Sequence, residues 1–109
     1  MVKTREEVLR LVGEFREELQ RIYKERLKGV YLYGSYARGE ADEDSDIDVA
    51  VVLEGPVRQA EELERVSHMR CDLSLRENCL IMPFFLSETE HETKPWAIHR
   101  SIVREGVPV

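Results

Sequence analysis

The 109-residue sequence has no apolar run of about 18 residues, so no membrane-spanning helix is expected. Its first ten residues, MVKTREEVLR, contain no apolar targeting core, and the cytoplasm is the expected compartment. Cysteine is scarce: Cys71 and Cys79 match neither CxxC nor a Cys/His zinc spacing, and read as ordinary thiols. His68, His91 and His99 have no HExxH-like spacing and read as surface or packing residues. There is no G-K-[ST] of a Walker A loop and no GxGxxG. A basic surplus is also missing. The net charge of -6 argues against a general nucleic-acid binder, and no direct DNA contact is expected. The length suits one domain, residues 1–109, with a modest core.

Acid is plentiful, and it is concentrated. Ten acids and one base, Arg58, fall between Glu40 and Glu64. Five of the seven residues from Asp42 to Asp48 are acidic, and an apolar run follows at once. Asp42, Glu43 and Asp44 read as a solvated loop. Asp48, flanked by Ile47 and Val49, does not.

Helical spacing of Val8, Val12, Phe15, Leu19 and Ile22 predicts a helix from Thr4 to Lys28, with a Thr4/Glu7 capping box and Gly29 as its stop. Val30–Tyr33 predicts a short strand, broken by Gly34-Ser35. Ala37–Glu40 fits a helical turn or a loop. Asp46–Leu53, apolar on both faces beyond its two acids, predicts a strand covered on both sides. Pro56 suits the first turn of a helix that runs from Val57 to at least Val66. Met69–Leu75 fits either a continuation of that helix, the favoured reading, or a strand. Cys79–Leu86 predicts the next strand, Ser87/Glu90 another capping box, and Pro95–Glu105 a last helix stopped by Gly106. Trp96, Ile98, Ile102 and Val103 read mainly as core, with a partner surface as the alternative. This order specifies an α/β or α+β domain: a small mixed sheet flanked by helices.

Asp46 and Asp48, two apart on a strand, project to one side. Neighbouring carboxylates repel and resist desolvation unless a cation compensates them. Oxygen ligands of this kind suit Mg2+, which takes one or two carboxylates together with phosphate and water. An EF-hand is excluded in both registers. Its sixth and twelfth positions would be Ile47 and Leu53, or Val49 and Gly55, instead of Gly and Glu. Gly34 permits close backbone approach, and Ser35 at a helical start offers N–H groups and a hydroxyl to an anion. Arg38 adds a charged donor for phosphate. The Asp-x-Asp pair begins eleven residues after Ser35. On neighbouring strands, cradle and carboxylates would face one pocket able to hold a nucleoside triphosphate and its magnesium.

Tyr33-Gly34-Ser35 followed by Asp46-Ile47-Asp48-Val49, within GSYARGEADEDSDID, resembles the motif of the nucleotidyltransferase superfamily typified by DNA polymerase beta. The chain's length and element order resemble its minimal members. The resemblance implies the polymerase beta-like fold, triphosphate held by Gly34 and Ser35, Mg2+ held by Asp46 and Asp48, and transfer of a nucleoside monophosphate, AMP from ATP, to a hydroxyl. It also implies a third carboxylate on a later strand. Asp72 is the nearby candidate, provided that Met69–Leu75 is a strand; on a helix it becomes a surface residue. Minimal nucleotidyltransferases of this kind pair with HEPN-domain toxins, and the resemblance implies such a partner, with AMP placed on a tyrosine. A contact-only antitoxin is the alternative, and a homodimer is plausible for so small a sheet.

Overall fold

The computed structural model describes residues 3–109. Helix α1 spans Arg5–Tyr23. Thr4 Oγ1 accepts from the Glu7 N–H at 3.1 Å, and the Glu7 carboxylate accepts from the Thr4 N–H at 3.1 Å, so the expected capping box forms. Val8, Leu11, Val12, Phe15 and Leu19 form its buried stripe. The helix is shorter than the sequence pattern suggested. Lys24 turns to φ 52°, residues Lys24–Arg26 make one 3-10 turn, and strand β1 runs Leu27–Tyr33. Leu27 is claimed by the sheet, where it pairs with Leu53. Gly29 sits at a shift in register instead of stopping a helix.

The remaining elements are α2 (Ser35–Arg38), β2 (Ile47–Leu53), α3 (Gln59–Glu77), β3 (Ile81–Ser87), α4 (Glu88–Thr93), α5 (Ala97–Glu105) and a two-residue β4 (Val107–Pro108). The sheet order is β3-β2-β1-β4. β1 is antiparallel to β2 and β4, while β2 and β3 are parallel, joined by the crossover helix α3. The mixed α+β architecture is as expected. α3 starts at Gln59, so Pro56 lies in the approach to the helix and not in its first turn. Met69–Leu75 belongs to α3, which closes at Asn78 with φ 50°. The Ser87/Glu90 capping box starts α4.

β2 is buried on both faces. Ile47, Val49, Val51 and Leu53 pack with the α1 stripe, Val66 and Leu73 of α3, and Ile81 and Phe85 of β3. Ala50 and Val52 face the other way, onto Leu86, Ile102 of α5, Tyr31, Tyr33 and Phe84. Ile102 alone of the four apolar residues read on α5 and its start is buried; Trp96, Ile98 and Val103 are exposed, which corrects the core assignment for those three. A short amphipathic helix reaches the sheet with one edge only.

Two polar features tie α3 to its neighbours. Glu62 is buried, and its Oε1 accepts from the Tyr23 hydroxyl at 2.8 Å and from Arg65 Nη1 at 2.6 Å. Burial, then the Glu62 carboxylate, pushes the Tyr23 phenol well up. Along the outer edge of β3, Arg70 Nε donates to the Ile81 carbonyl at 2.6 Å, Gln59 Nε2 donates to the Pro83 carbonyl at 3.1 Å, and Gln59 Oε1 accepts from the Phe85 N–H at 2.7 Å. Pro83 has no N–H to offer. This edge is therefore occupied by side chains, which blunts strand addition.

Candidate active site at the start of β2

β1 ends at Tyr33, opposite Asp48 in the antiparallel register. The chain must leave β1 and enter α2 immediately, and Gly34 makes the turn at φ 78°, ψ -156°, a conformation essentially reserved for glycine. The same glycine lets the backbone close on Asp48: a Cβ at position 34 would run into the Asp48 carboxylate. Ser35 opens α2, which Gly39 ends in the left-handed conformation. Of the stretch left open between turn and loop, Ala37 and Arg38 complete a single helical turn, while Gly39 and Glu40 lie beyond it. The turn's first N–H groups are the unpaired donors of any helix start.

Asp48 is half-buried on the α4/α5 face of the sheet, with Tyr33 beside it. Burial, and then the charge of Asp46, raise its pKa above the ordinary carboxylate range, while the Arg38 guanidinium opposes the shift. Asp46 lies one residue before β2 and is exposed, so only one of the two acids is even partly buried. Tyr33 is pushed up to about 12 by burial and by the Asp48 charge. Asp42, Glu43 and Asp44 are exposed; Asp42 Oδ1 accepts from the Asp44 N–H at 2.9 Å, and Ser45 Oγ accepts from the Asp42 N–H at 2.9 Å. They form a self-bonded loop leading into the strand.

Arg38, read from the sequence as a phosphate donor, is engaged with carboxylates. Its Nη1 donates to Glu105 at 3.0 Å and its Nε to Glu40 at 3.2 Å. Glu105 carried no signal in the sequence, since a glutamate at a helix end is usually solvated.

Asp72 is not brought to this site. Met69–Leu75 is helix, and α3 covers the opposite face of the sheet from Asp48. Asp72 is 69% exposed, pairs with His68 at 3.5 Å, and lines a groove of about 620 Å3 between α1 and α3 with Glu14, Glu17 and Arg76. On β3, the residue in register with Asp48 is Met82, and same-face neighbours in a sheet lie side by side. The position for a third carboxylate beside Asp48 is thus filled by a thioether, whose sulfur accepts from Arg70 Nη2 at 3.4 Å.

Among the described residues, no three His, Cys, Asp or Glu side chains gather as a metal cluster. The protein's share is the pair Asp46 and Asp48. That pair fits magnesium, which needs one or two carboxylates and leaves its other positions to phosphate and water. Asp48 is partly desolvated and sits beside the charge of Asp46, an arrangement that a cation would relieve.

The profile of the family described as nucleotidyltransferase domain matches residues 12–106, nearly the whole chain. The chain belongs to the nucleotidyltransferase family. A Methanocaldococcus jannaschii protein named "Putative protein adenylyltransferase" is 32% identical over 83 residues, covering 76% of this chain and 83% of that protein. The protein adenylyltransferase MntA of Thermococcus cleftensis is 35% identical over 81 residues, 69% of this chain and 80% of that one. A crystal structure described as a toxin-antitoxin with AMP-PNP superposes with a TM-score of 0.62 at 20% identity, covering 87% of this chain and 69% of that one, a likeness of fold. Membership makes this nucleotidyltransferase an enzyme of nucleotidyl transfer, as the motif implied. Among the described residues, no helix is long and apolar enough to cross a membrane.

Proposed function

We infer that this nucleotidyltransferase, acting as one domain over residues 1–109, moves AMP from ATP to a hydroxyl of a partner protein, with Mg2+. The observation that carries the reading is the closure of Gly34 on Asp48, which sets the start of α2 directly beside a half-buried carboxylate. In this reading Asp46 and Asp48 hold the metal. Gly34, Ser35 and the first N–H groups of α2 hold the triphosphate, with Arg38 at its flank. Bound magnesium would supply positive charge to the triphosphate and the departing pyrophosphate. A partner oxygen forms the new bond to the α-phosphorus as the bond to the β-phosphate bridge breaks. Pyrophosphate leaves, and the acceptor's proton passes to solvent. The chain's contribution is alignment and electrostatics, the main sources of rate in phosphoryl-type transfer.

Met82 beside Asp48 leaves no third carboxylate at that position of β3 to take the acceptor's proton. A tyrosine phenol, with an ordinary pKa of about 10, loses its proton far more easily than an aliphatic hydroxyl. This supports a tyrosine acceptor; the toxin-antitoxin neighbour supports a toxin as the protein that bears it, and the motif resemblance implies the HEPN class. The same methionine favours one second reading, a contact-only antitoxin with a weakened site.

Calorimetry with ATP, with and without Mg2+, tests the site. Binding that needs Mg2+ and disappears in Asp48→Asn is expected, and wild-type protein that binds no ATP under either condition would sink the enzyme reading. A 329 Da AMP adduct on the partner's tyrosine, seen by mass spectrometry, separates transfer from contact-only neutralisation.

A further inference from the structure

Arg38 ends the single helical turn that follows Gly34, the residue that closes on Asp48, yet it makes no ion pair with Asp46 or Asp48. Two other carboxylates hold it instead. They are unequal partners. Glu40 is 67% exposed on the loop after α2, whereas Glu105 is 16% exposed. Glu105 is also the better anchored. It is the last residue of α5, where the Gly106 N–H donates to the Ile102 carbonyl at 2.8 Å. The chain then enters β4, which pairs with Tyr31 and Leu32 of β1. A side chain at position 106 would strike the Ile102 carbonyl, so the step from helix to strand is tight. β1 is the strand whose C-terminal end, just past this pairing, leads into Gly34 and Ser35. The motif turn and Glu105 are therefore mounted on one strand, and the guanidinium is fixed from both sides.

A guanidinium released from Glu105 has an obvious alternative partner. Asp46 and Asp48 form an underneutralised carboxylate pair nearby, and bidentate pairing with a carboxylate is what arginine geometry favours. Such a pair would occupy the space and the charge that a divalent cation needs. We propose that Glu105 is a positioning residue that holds Arg38 off the Asp46–Asp48 pair, keeping the carboxylates open to the metal and the guanidinium turned toward the phosphates. This rests on the metal role inferred above for Asp46 and Asp48. It makes α5 part of the site's electrostatics, though α5 contributes no metal ligand.

The test is Mn2+ binding to the full chain, followed by electron paramagnetic resonance, in wild type, Glu105→Gln, and the double variant Glu105→Gln/Arg38→Gln. Glu105→Gln is expected to weaken Mn2+ binding by about 10- to 100-fold, as loss of supporting groups around metal ligands commonly does. Removing Arg38 as well restores binding, because the competing cation is gone. A merely structural role predicts the opposite, with the double variant no better than the single. Unchanged affinity in Glu105→Gln, or no rescue in the double variant, overturns the role of Glu105 alone. Wild-type protein that binds no Mn2+ overturns the metal reading and the proposal with it. Should Glu105→Gln fold poorly by circular dichroism, Glu105→Asp keeps the charge but withdraws it from Arg38. Weakened Mn2+ binding is again expected, and wild-type affinity there would count against the proposal.

Discussion

The two faces of the sheet are built on different terms. The face under α1 and α3 is a closed apolar core, with its one buried acid, Glu62, bonded to Tyr23 and Arg65 and its strand edge covered by Gln59 and Arg70. The face under α4 and α5 is thinner. It carries Asp48 half-buried beside a like charge and leaves Trp96, Ile98 and Val103 in solvent. The buried acid of the first face has two hydrogen-bond partners, whereas Asp48 on the other sits beside a like charge. The first supplies stability, and in the function proposed above the second gives some of it up for a cation site.

Substitutions that act on one face only should separate these roles. The largest stability effect is expected from Phe15→Ala, which empties a fully buried site under α1 and should cost about 3–5 kcal/mol in urea unfolding. Magnesium-dependent ATP binding should survive in whatever fraction stays folded. Next comes Glu62→Ala. It strands the buried Tyr23 hydroxyl and frees Arg65, for about 1–3 kcal/mol, measurable by the same titration.

Asp48→Asn should act in the other direction. The folded protein holds the Asp48 proton more tightly than the unfolded chain does, so this group's contribution to stability falls as pH rises through its raised pKa. Removing the charge should therefore raise the Tm near neutral pH, by an amount that shrinks toward acid, while ATP binding is lost. Added Mg2+ should raise the wild-type Tm and leave the variant's unchanged. A Tm that falls in Asp48→Asn at neutral pH would break the contrast between the faces. The smallest effect belongs to Asp72→Asn: within about 0.5 kcal/mol in stability, with ATP binding intact, because the residue is an exposed partner of His68 on the far face.

Local signals carried most of the fold. The capping boxes at Thr4 and Ser87, the helical stripe of α1 and the two-sided apolar run of β2 are short-range patterns that tertiary structure had no reason to override. The end of α1 was misplaced because Leu27 and Lys28 suit a helix as well as a strand, and only pairing with Leu53 and its neighbours decides the matter. Glu62 and Glu105 look like any exposed helix glutamate, since their partners lie 39 and 67 positions away.

By itself the sequence determined the family, the alternation of elements and the pairing of a Gly-Ser turn with an Asp-x-Asp strand entrance, because spacing along a strand and the conformational needs of glycine are local matters. Only the tertiary structure decided which carboxylates share a site. Strand register put Asp48 beside Gly34 and Met82, the crossover through α3 carried Asp72 to the opposite face, and the return of α5 along β1 brought Glu105 to Arg38. Those juxtapositions follow from pairing and packing between distant segments, which no local pattern encodes.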